Sequence, residues 1–262
     1  MTERIEHLAH HALCGQVWEK AVIYLRHSGT RAAAHSANQE AIGWLNRALT
    51  ALEHLPRCRE TSETAVDIRL DLRNALWPVG ELTRLQNVLR EAEALAESIG
   101  DQPRLARVLI YLTHCLWGVG DNEGAVAAGQ RALEIAKTRG DVGLEALANN
   151  YLGYAFHALG EQQRALELVS RNVTGLRGEL IRVRFGMYAP PAVFSRTWFA
   201  LCCAELGQFD EGIAHGQEAI DILETADSPY AMSVACWGRA GVESTRVWGL
   251  INNSLIVRRH PD

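Results

Sequence analysis

A short sequence pattern occurs twice in this chain, forty residues apart. Leu-Trp-x-Val-Gly, followed by an acidic residue, ends at Gly80 and again at Gly120. Two more glycines, followed by an acid or a glutamine, continue the series at Gly160 and Gly207, which gives intervals of 40, 40 and 47 residues. A regular period of this length is typical of stacked structural repeats.

The sequence around each of these glycines indicates two helices joined by a turn. Apolar side chains recur at steps of three and four residues, as in residues 147–159, and the chain holds seven prolines. A glycine can end the first helix in a left-handed conformation, and the acid or amide after it favours the start of a second. Pro190 and Pro191 interrupt the longer interval with an insert. The sequence therefore predicts an all-α chain of helical hairpins with a period of about 40.

Charge and composition exclude several classes of partner. The net charge is −5 and the basic residues are scattered, so we expect no nucleic-acid binding. The sequence shows no export signal and no uninterrupted apolar run of membrane-spanning length, so we expect no membrane partner. The six cysteines show no Cys-x-x-Cys spacing, which favours reduced, mostly buried thiols in the cytoplasm.

Two groups of residues have spacings that could suggest a chemical site. His7, His10 and His11 have a spacing that can bring two imidazoles to one metal, but no acidic or cysteine ligand accompanies them in a metal-binding pattern. Cys202 and Cys203 are adjacent on a helix, point about 100° apart, and are expected in ordinary core and groove positions. We therefore predict no metal, no cofactor and no enzymatic activity in this chain.

The hairpins resemble tetratricopeptide (TPR) repeats. In that family, small residues let the paired helices approach and large ones fill the space between them. The residues that match this code are Leu152, Gly153, Phe156, Gly160 and Ala165, together with Ala125, Ala132 and Ala219. The fourth hairpin departs from it at Gly212 and Gly216. The resemblance implies a right-handed α-solenoid of TPR-like helical hairpins.

A second resemblance places the chain near bacterial signalling proteins. Residues 21–56, 88–101 and 212–220 are similar to the repeat region that follows a class III adenylate or guanylate cyclase domain and an AAA-type ATPase. The resemblance spans about residues 4–237. Because the chain has no phosphate-binding loop and no metal-binding aspartate pair, it implies a signalling role without cyclase or ATPase chemistry.

These resemblances divide the chain into three segments. Residues 1–57 are expected to form an N-terminal helical junction with the first repeat-like helices, residues 58–237 the TPR-like repeats, and residues 238–262 an irregular tail. A solenoid that ends without a cap leaves an apolar face in water. We interpret the tail as a truncation or frameshift product, or as an interface that needs a partner and could support self-association.

In TPR proteins the first helix of each hairpin lines the concave face, which supplies the candidate binding residues. They are Asp67, Asn74, Trp77, Arg107, His114, Trp117, Asn150, Tyr154, His157 and Thr197. Aromatic rings supply contact area, and amide and charged groups fix an extended backbone, so we predict a non-catalytic scaffold that binds a protein or peptide segment, including cyclase or ATPase domains. One alternative is that Trp77 and Trp117 pack against the neighbouring repeat. Another is a closed pocket that senses a small-molecule effector.

Overall fold

The computed structural model describes residues 2–187, 189–223 and 229–259, with side chains described for 5–187, 189–223 and 231–247. These residues form twelve α-helices and a short 3₁₀ helix, and contain no strand. The helices are α1 (Thr2–Cys14), α2 (Trp18–Ala34), α3 (Asn38–Leu52), α4 (Arg59–Leu76), α5 (Leu82–Ser98), α6 (Gln102–Gly118), α7 (Asn122–Arg139), α8 (Val142–Ala158), α9 (Gln162–Gly175), α10 (Pro191–Glu205), α11 (Phe209–Leu223) and α12 (Pro229–Arg259). None of them, over the described residues, is long and apolar enough to cross a membrane.

The four predicted glycine turns are confirmed. Gly80, Gly120, Gly160 and Gly207 each end a first helix with φ between 74° and 85°, the left-handed region that suits glycine. The side chain of Asp121 then accepts a hydrogen bond from the backbone N–H of Gly124 and caps the following helix. Local sequence therefore determines where each first helix stops.

The turns recur at half the predicted period. Gly100 and Gly140 are also left-handed, with φ of 65° and 64°, and they separate successive hairpins. Gln16 and Ser36 take the same conformation twenty residues apart near the N-terminus, with φ of 53° and 60°. Each forty-residue repeat thus consists of two helices, with turns twenty residues apart. The sequence alone had not suggested this subdivision.

Residues 1–120 form the first of two compact units. In this unit α2 pairs with α3 and α4 with α5, while the first helix α4 also contacts the first helices α2 and α6. Leu25, Leu45 and Leu72 are among its fully buried side chains. Gly29 allows the close pairing of α2 and α3, because a Cβ there would lie 2.6 Å from Cγ of Leu45.

Residues 121–262 form the second unit. Here α8 pairs with α9 and α10 with α11, α7 packs on α8, and α12 packs on both α10 and α11. An insert of residues 176–190, which contains the 3₁₀ helix Gly178–Arg182, separates α9 from α10. The two units do not coincide with the predicted segments 1–57, 58–237 and 238–262.

The C-terminal segment differs from the predicted irregular tail. Residues 238–259 continue α12 as helix, so that prediction is wrong for them, while 260–262 lie outside the described residues. The physical reason is close packing by glycine: a Cβ at Gly238 would lie 2.5 Å from Cγ2 of Thr197, and one at Gly241 3.0 Å from Cδ2 of Leu201. The segment lacks the repeat code, but α12 packs on α10 and α11 in the position of a further first helix, and no second helix follows it among the described residues.

Candidate functional site

Trp77 and Trp117 both lie in ring contact with His114. The ring centroids of Trp77 and His114 are 3.8 Å apart, and those of His114 and Trp117 are 5.6 Å apart with nearly parallel planes. Trp77 extends from α4 onto α6, where a Cβ at Gly118 would lie 2.9 Å from its ring. Both tryptophans are half-buried. The interpretation that Trp77 packs against the neighbouring repeat is therefore confirmed, although part of each indole stays open to solvent.

A buried arginine, Arg73, packs against these rings. Nη2 of Arg73 lies 3.0 Å from Nδ1 of His114, Nη1 donates to Oδ1 of Asn74, and the guanidinium stacks 4.4 Å from the centre of the Tyr111 ring. Burial, and then the charge of Arg73, hold the pKa of His114 well below its ordinary value. The residue is therefore a neutral part of the packing and not a proton carrier.

A network of ion pairs joins α2, α4 and α6. Asp67 accepts two hydrogen bonds from the guanidinium of Arg104, at 2.8 and 3.0 Å, and lies 3.8 Å from Arg26. Arg26 also donates to Asp71 at 2.6 Å, but burial still raises the pKa of that carboxyl. The predicted groove residue Asp67 is thus engaged within the protein. Arg107 and Asn74 are exposed on the first helices.

In the second unit an aromatic cluster joins α8, α10 and α12. The ring of Tyr154 stacks on Trp198 with centroids 4.2 Å apart, and His157 meets the same indole edge-on at 5.1 Å. Trp198 in turn contacts Trp237 at 6.0 Å. Trp198 is buried, whereas Trp237 is 55% exposed. Tyr154, which was predicted to line a groove, is instead buried in this cluster at 5% exposure, and His157 lies half-buried beside it.

Burial lowers the pKa of His157 more than the nearby charge of Glu205 raises it. Its Nε2 atom is buried and has no hydrogen-bond partner among the described residues. This ring nitrogen is thus a buried polar group at the edge of the aromatic cluster.

Two predicted groove residues are placed in the interior. Asn150 and Thr197 are both 0% exposed. The side chain of Asn150 donates to the carbonyl oxygen of Pro191 at 3.2 Å and accepts from Ser195, while Thr197 bonds its own helix at the carbonyl of Val193. The prediction that they line a groove is wrong in this structure, because α10 and α12 pack over them.

Asn150 belongs to a buried amide cluster. The side-chain nitrogen of Asn172 donates to the carbonyl oxygen of Ala146 at 2.8 Å and to Oγ of Ser195 at 2.9 Å, and its oxygen accepts from Asn149. These bonds join α8, α9 and α10. The role of the cluster is to fix how the helices pack, since buried polar groups of this kind specify one arrangement.

The remaining candidate residues form no metal site among the described residues. His7, His10 and His11 are exposed, and no group of three metal-binding side chains occurs among the described residues. All six cysteines are free thiols, three buried and three exposed, so the expectation of mostly buried thiols is only half met. Cys202 and Cys203 are buried as expected, and burial raises the pKa of each to about 12, which keeps both thiols protonated.

The sequence did not indicate three residues of these clusters, which are Arg73, Trp198 and Trp237. The two tryptophans are 39 residues apart, close to the repeat period, and this spacing could have marked them. Arg73 left no such signal, because it stands in an ordinary amphipathic pattern and its burial depends on Tyr111 and His114 of the next first helix.

Known structures identify the fold. No protein-family model and no curated protein matches the sequence significantly. Among solved structures, BtubC (BKLC) from P. vanneervenii superposes with a TM-score of 0.64 at 16% identity, over 87% of this chain and 89% of that one. The thermophilic TPR protein TTC0263 of Thermus thermophilus superposes with a TM-score of 0.58 at 15% identity, over 87% of this chain and all of that one.

The chain has a TPR-like repeat fold. A Rap protein complexed with competence and sporulation factor is also similar, with a TM-score of 0.64 at 15% identity. That match covers 77% of this chain but 53% of the Rap protein, so this chain spans about half of its length. At these identities the TPR-like likeness concerns the fold, and the arrangement of side chains described above belongs to this chain.

Proposed function

We propose that this chain is a non-catalytic protein-interaction scaffold whose two units each bind an extended protein segment on the faces of their first helices. The observation that carries the proposal is the exposure of the Trp237 ring on α12, at 55%, together with the half-buried ring of Trp117 on α6. Tryptophan is enriched among the residues that dominate binding energy at protein interfaces. The complex of the similar Rap protein with its factor supports the same use of the fold.

The polar groups around the rings suit a peptide backbone. Asn74 and Arg107 are exposed on α4 and α6. An extended segment presents one carbonyl and one N–H per residue, which such groups can bind while its side chains contact the indoles.

The alternative of a small-molecule sensor has less support. That function would need an enclosed cavity lined by Trp77 and Trp117. The ring of His114 contacts both of these residues at the position that such a ligand would need. We therefore favour a protein segment as the ligand.

The resemblance of residues 4–237 to the repeat part of bacterial cyclase and ATPase signalling proteins supports those domains as the partner class. They are the first purified proteins to test for binding. The free thiols support a cytoplasmic location for the interaction. Self-association through α12 is a further outcome to measure, because Trp237 and Val247 are both exposed on that helix.

The test is partner binding by matched tryptophan variants of the full chain. Trp117→Ala and Trp237→Ala each remove a partly exposed ring from a first helix. Trp44→Ala removes a half-buried ring from the second helix α3 and serves as the control. We expect the two first-helix variants to lose at least about tenfold in affinity while Trp44→Ala keeps it, since hot-spot tryptophans contribute about 2 kcal/mol or more. Equal binding by all three variants would contradict the proposal.

A further inference from the structure

A cleft of about 290 Å³ lies where the insert between α9 and α10 meets the hairpin of α10 and α11. The 3₁₀ helix of the insert contacts α10. The described residues that line the cleft are Ile181, Arg182, Arg196, Glu218, Asp221 and Ile222. Two guanidinium groups, two carboxylates and two aliphatic side chains therefore surround one small space.

Arg196 forms the buried part of the cleft. Its side chain is 6% exposed. Nε donates to Oε2 of Glu218 at 2.9 Å, and Nη1 donates to the carbonyl oxygen of Ala192 at 3.2 Å. Nη2 has no hydrogen-bond partner among the described residues, and it is not one of their fully buried unpaired atoms. Because Arg196 lines the cleft, this nitrogen opens into it with its two N–H donors unused.

Two carboxylate oxygens of α11 are also unused. Glu218 and Asp221 are three residues apart, so their side chains lie on one helix face. Oε2 of Glu218 accepts from Arg196 and lies 3.2 Å from Nδ1 of His215, while Oδ1 of Asp221 accepts from Gln217 at 2.6 Å. Oε1 of Glu218 and Oδ2 of Asp221 bond to no other residue in the part of the chain that the structure describes. Each carboxylate therefore keeps one acceptor oxygen for a ligand.

The charges around the cleft are balanced. Burial raises the pKa of Glu218, but the hydrogen bond from Arg196 and the interactions with His215 lower it further, so the pKa lies below its ordinary value and the group is ionised. A fixed negative charge thus lies beside the fixed positive charge of Arg196. Arg182 and Asp221, both exposed, add one charge of each sign. A ligand that carries both charges complements this lining better than a simple anion or cation does.

We propose that the cleft is a binding site for a free aliphatic α-amino acid in its zwitterionic form. The carboxylate of the amino acid accepts hydrogen bonds from Nη2 of Arg196, since a guanidinium suits a carboxylate in a buried position. The ammonium group donates to Oε1 of Glu218 and Oδ2 of Asp221. Each charge of the ligand thus meets a group of opposite sign that the protein leaves unused. The inference goes beyond the proposed function, because it concerns a small molecule and uses none of the candidate groove residues.

The aliphatic lining and the size of the cleft select the rest of the ligand. Ile181 is half-buried and Ile222 is 8% exposed, so both lose further contact with water when an aliphatic side chain packs on them. Pockets for drug-sized molecules span about 300 to 1,000 Å³, and this cleft lies at the small end of that range. A single amino acid therefore fits it better than a longer peptide does.

A purely structural ion pair is the competing explanation. The bond between Arg196 and Glu218 joins α10 to α11 and would do so in a cleft that binds nothing. Nη2 of Arg196 and the second carboxylate oxygens would then bond only to water. The two explanations differ in whether the chain binds a zwitterion saturably.

The test is isothermal titration of L-leucine into the full chain, for which we expect saturable binding at one site. Three analogues each lack one recognised feature: L-leucinamide has no carboxylate, 4-methylpentanoate has no ammonium group, and glycine has no aliphatic side chain. The first two should bind at least about tenfold more weakly, because each loses hydrogen bonds between charged groups. Glycine should lose at least as much, because it buries no aliphatic surface.

Three variants of the lining test the same contacts from the protein side. Arg196→Lys keeps the positive charge but lacks Nη2, and it should lower the affinity for L-leucine at least about tenfold. Arg182→Gln and Asp221→Asn each remove one exposed charge with little change of shape, and each should lower the affinity at least about threefold. If Arg196→Lys loses helical circular dichroism, the two exposed variants still decide the question.

Arg177→Gln and Asp210→Asn are the matched controls. Both residues are exposed, one on the insert and one on α11, and neither lines the cleft. Both variants should keep the wild-type affinity for L-leucine. Wild-type affinity in both Arg182→Gln and Asp221→Asn would overturn the inference, and so would binding of L-leucinamide or 4-methylpentanoate as tight as that of L-leucine.

A chain that binds no L-leucine would overturn the inference as well. Two measurements together establish that result: no saturable heat, and no rise in the midpoint of thermal unfolding at about 20 mM L-leucine, where a ligand with a dissociation constant of about 1 mM stabilises the folded state measurably. The titration uses no partner protein. Its outcome is therefore independent of partner binding by the tryptophan variants.

Discussion

Nη2 of Arg73 lies 3.0 Å from Nδ1 of His114, and both side chains are buried. A guanidinium can only donate hydrogen bonds, so Nδ1 accepts and the imidazole carries its proton on Nε2. Protonation of His114 would remove the acceptor and bring two cations into contact inside the protein. The pair therefore requires a neutral histidine, in agreement with its strongly lowered pKa.

We expect the free energy of unfolding to decrease as the pH falls below about 6.5. Unfolded His114 binds a proton near its ordinary pKa of 6.5, whereas the folded state takes it up only at much lower pH. Stability is therefore fully present above 6.5 and is lost between the unfolded and the folded pKa, at up to about 1.4 kcal/mol per pH unit. Urea unfolding from pH 7.5 to 4.5 measures this.

His114→Asn is the matched variant for that measurement. Asparagine can place an acceptor oxygen near the position of Nδ1, and it does not titrate. Its stability should depend less steeply on pH over the same range, while other groups, including His157, contribute equally to both proteins. A pH dependence as steep as that of the wild type would show that His114 is not the group responsible.

The amide cluster of the second unit supports a prediction about stability. Asn172→Ala removes the donor to the carbonyl oxygen of Ala146 and to Ser195, and leaves buried polar groups of α8 and α10 without it. We expect a loss of about 2 to 3 kcal/mol in the free energy of unfolding. Glu167→Ala, an exposed change on the same helix, should cost less than about 0.5 kcal/mol. A neutral Asn172→Ala would mean that water replaces these bonds.

The turns were predictable from sequence because their physics is local. Only glycine adopts φ near +75° without cost, so Gly80, Gly120, Gly160 and Gly207 stand out in the sequence. Gly100 and Gly140 follow the same rule and could have been found. Gln16 and Ser36 could not, because they take the left-handed conformation without the residue that favours it.

The binding row was only partly predictable, because exposure is decided by packing between helices distant in sequence. Helical spacing placed Asn150, Tyr154 and His157 on one face, but Asn150 and Tyr154 are buried, and Asn150 is covered by α10. Thr197 is covered by Gly238 of α12, a helix whose sequence lacks the repeat code. Periodicity predicts which residues share a face, and it cannot predict which later helix covers that face.

The close contact of Trp77 with Gly118 predicts that Gly118→Ala lowers stability in the wild type but does not lower it in a chain without the indole. In the wild type, Gly118→Ala places a methyl group 2.9 Å from an indole that His114 already holds, and we expect a loss of about 1 kcal/mol. In a Trp77→Leu background the same change should be neutral or stabilising, because alanine favours helix over glycine. The double-mutant cycle in urea measures the coupling between the two residues. Additive effects would show that the indole moves aside.

The left-handed turns predict opposite effects of one substitution at two exposed glycines. Gly100 has φ of 65° and Gly43 lies within α3, and a Cβ at either would meet no atom within 4 Å. Gly100→Ala should therefore lower the free energy of unfolding by about 1 to 2 kcal/mol through backbone strain alone. Gly43→Ala should raise it by up to about 1 kcal/mol through helix propensity.

Gln16→Gly and Ser36→Gly should each raise the free energy of unfolding by about 0.5 kcal/mol, since relief of left-handed strain exceeds the entropy that glycine costs. Thermal and urea unfolding of the four variants measure these effects. If Gly100→Ala is as stable as Gly43→Ala, the turns at twenty-residue spacing do not depend on glycine.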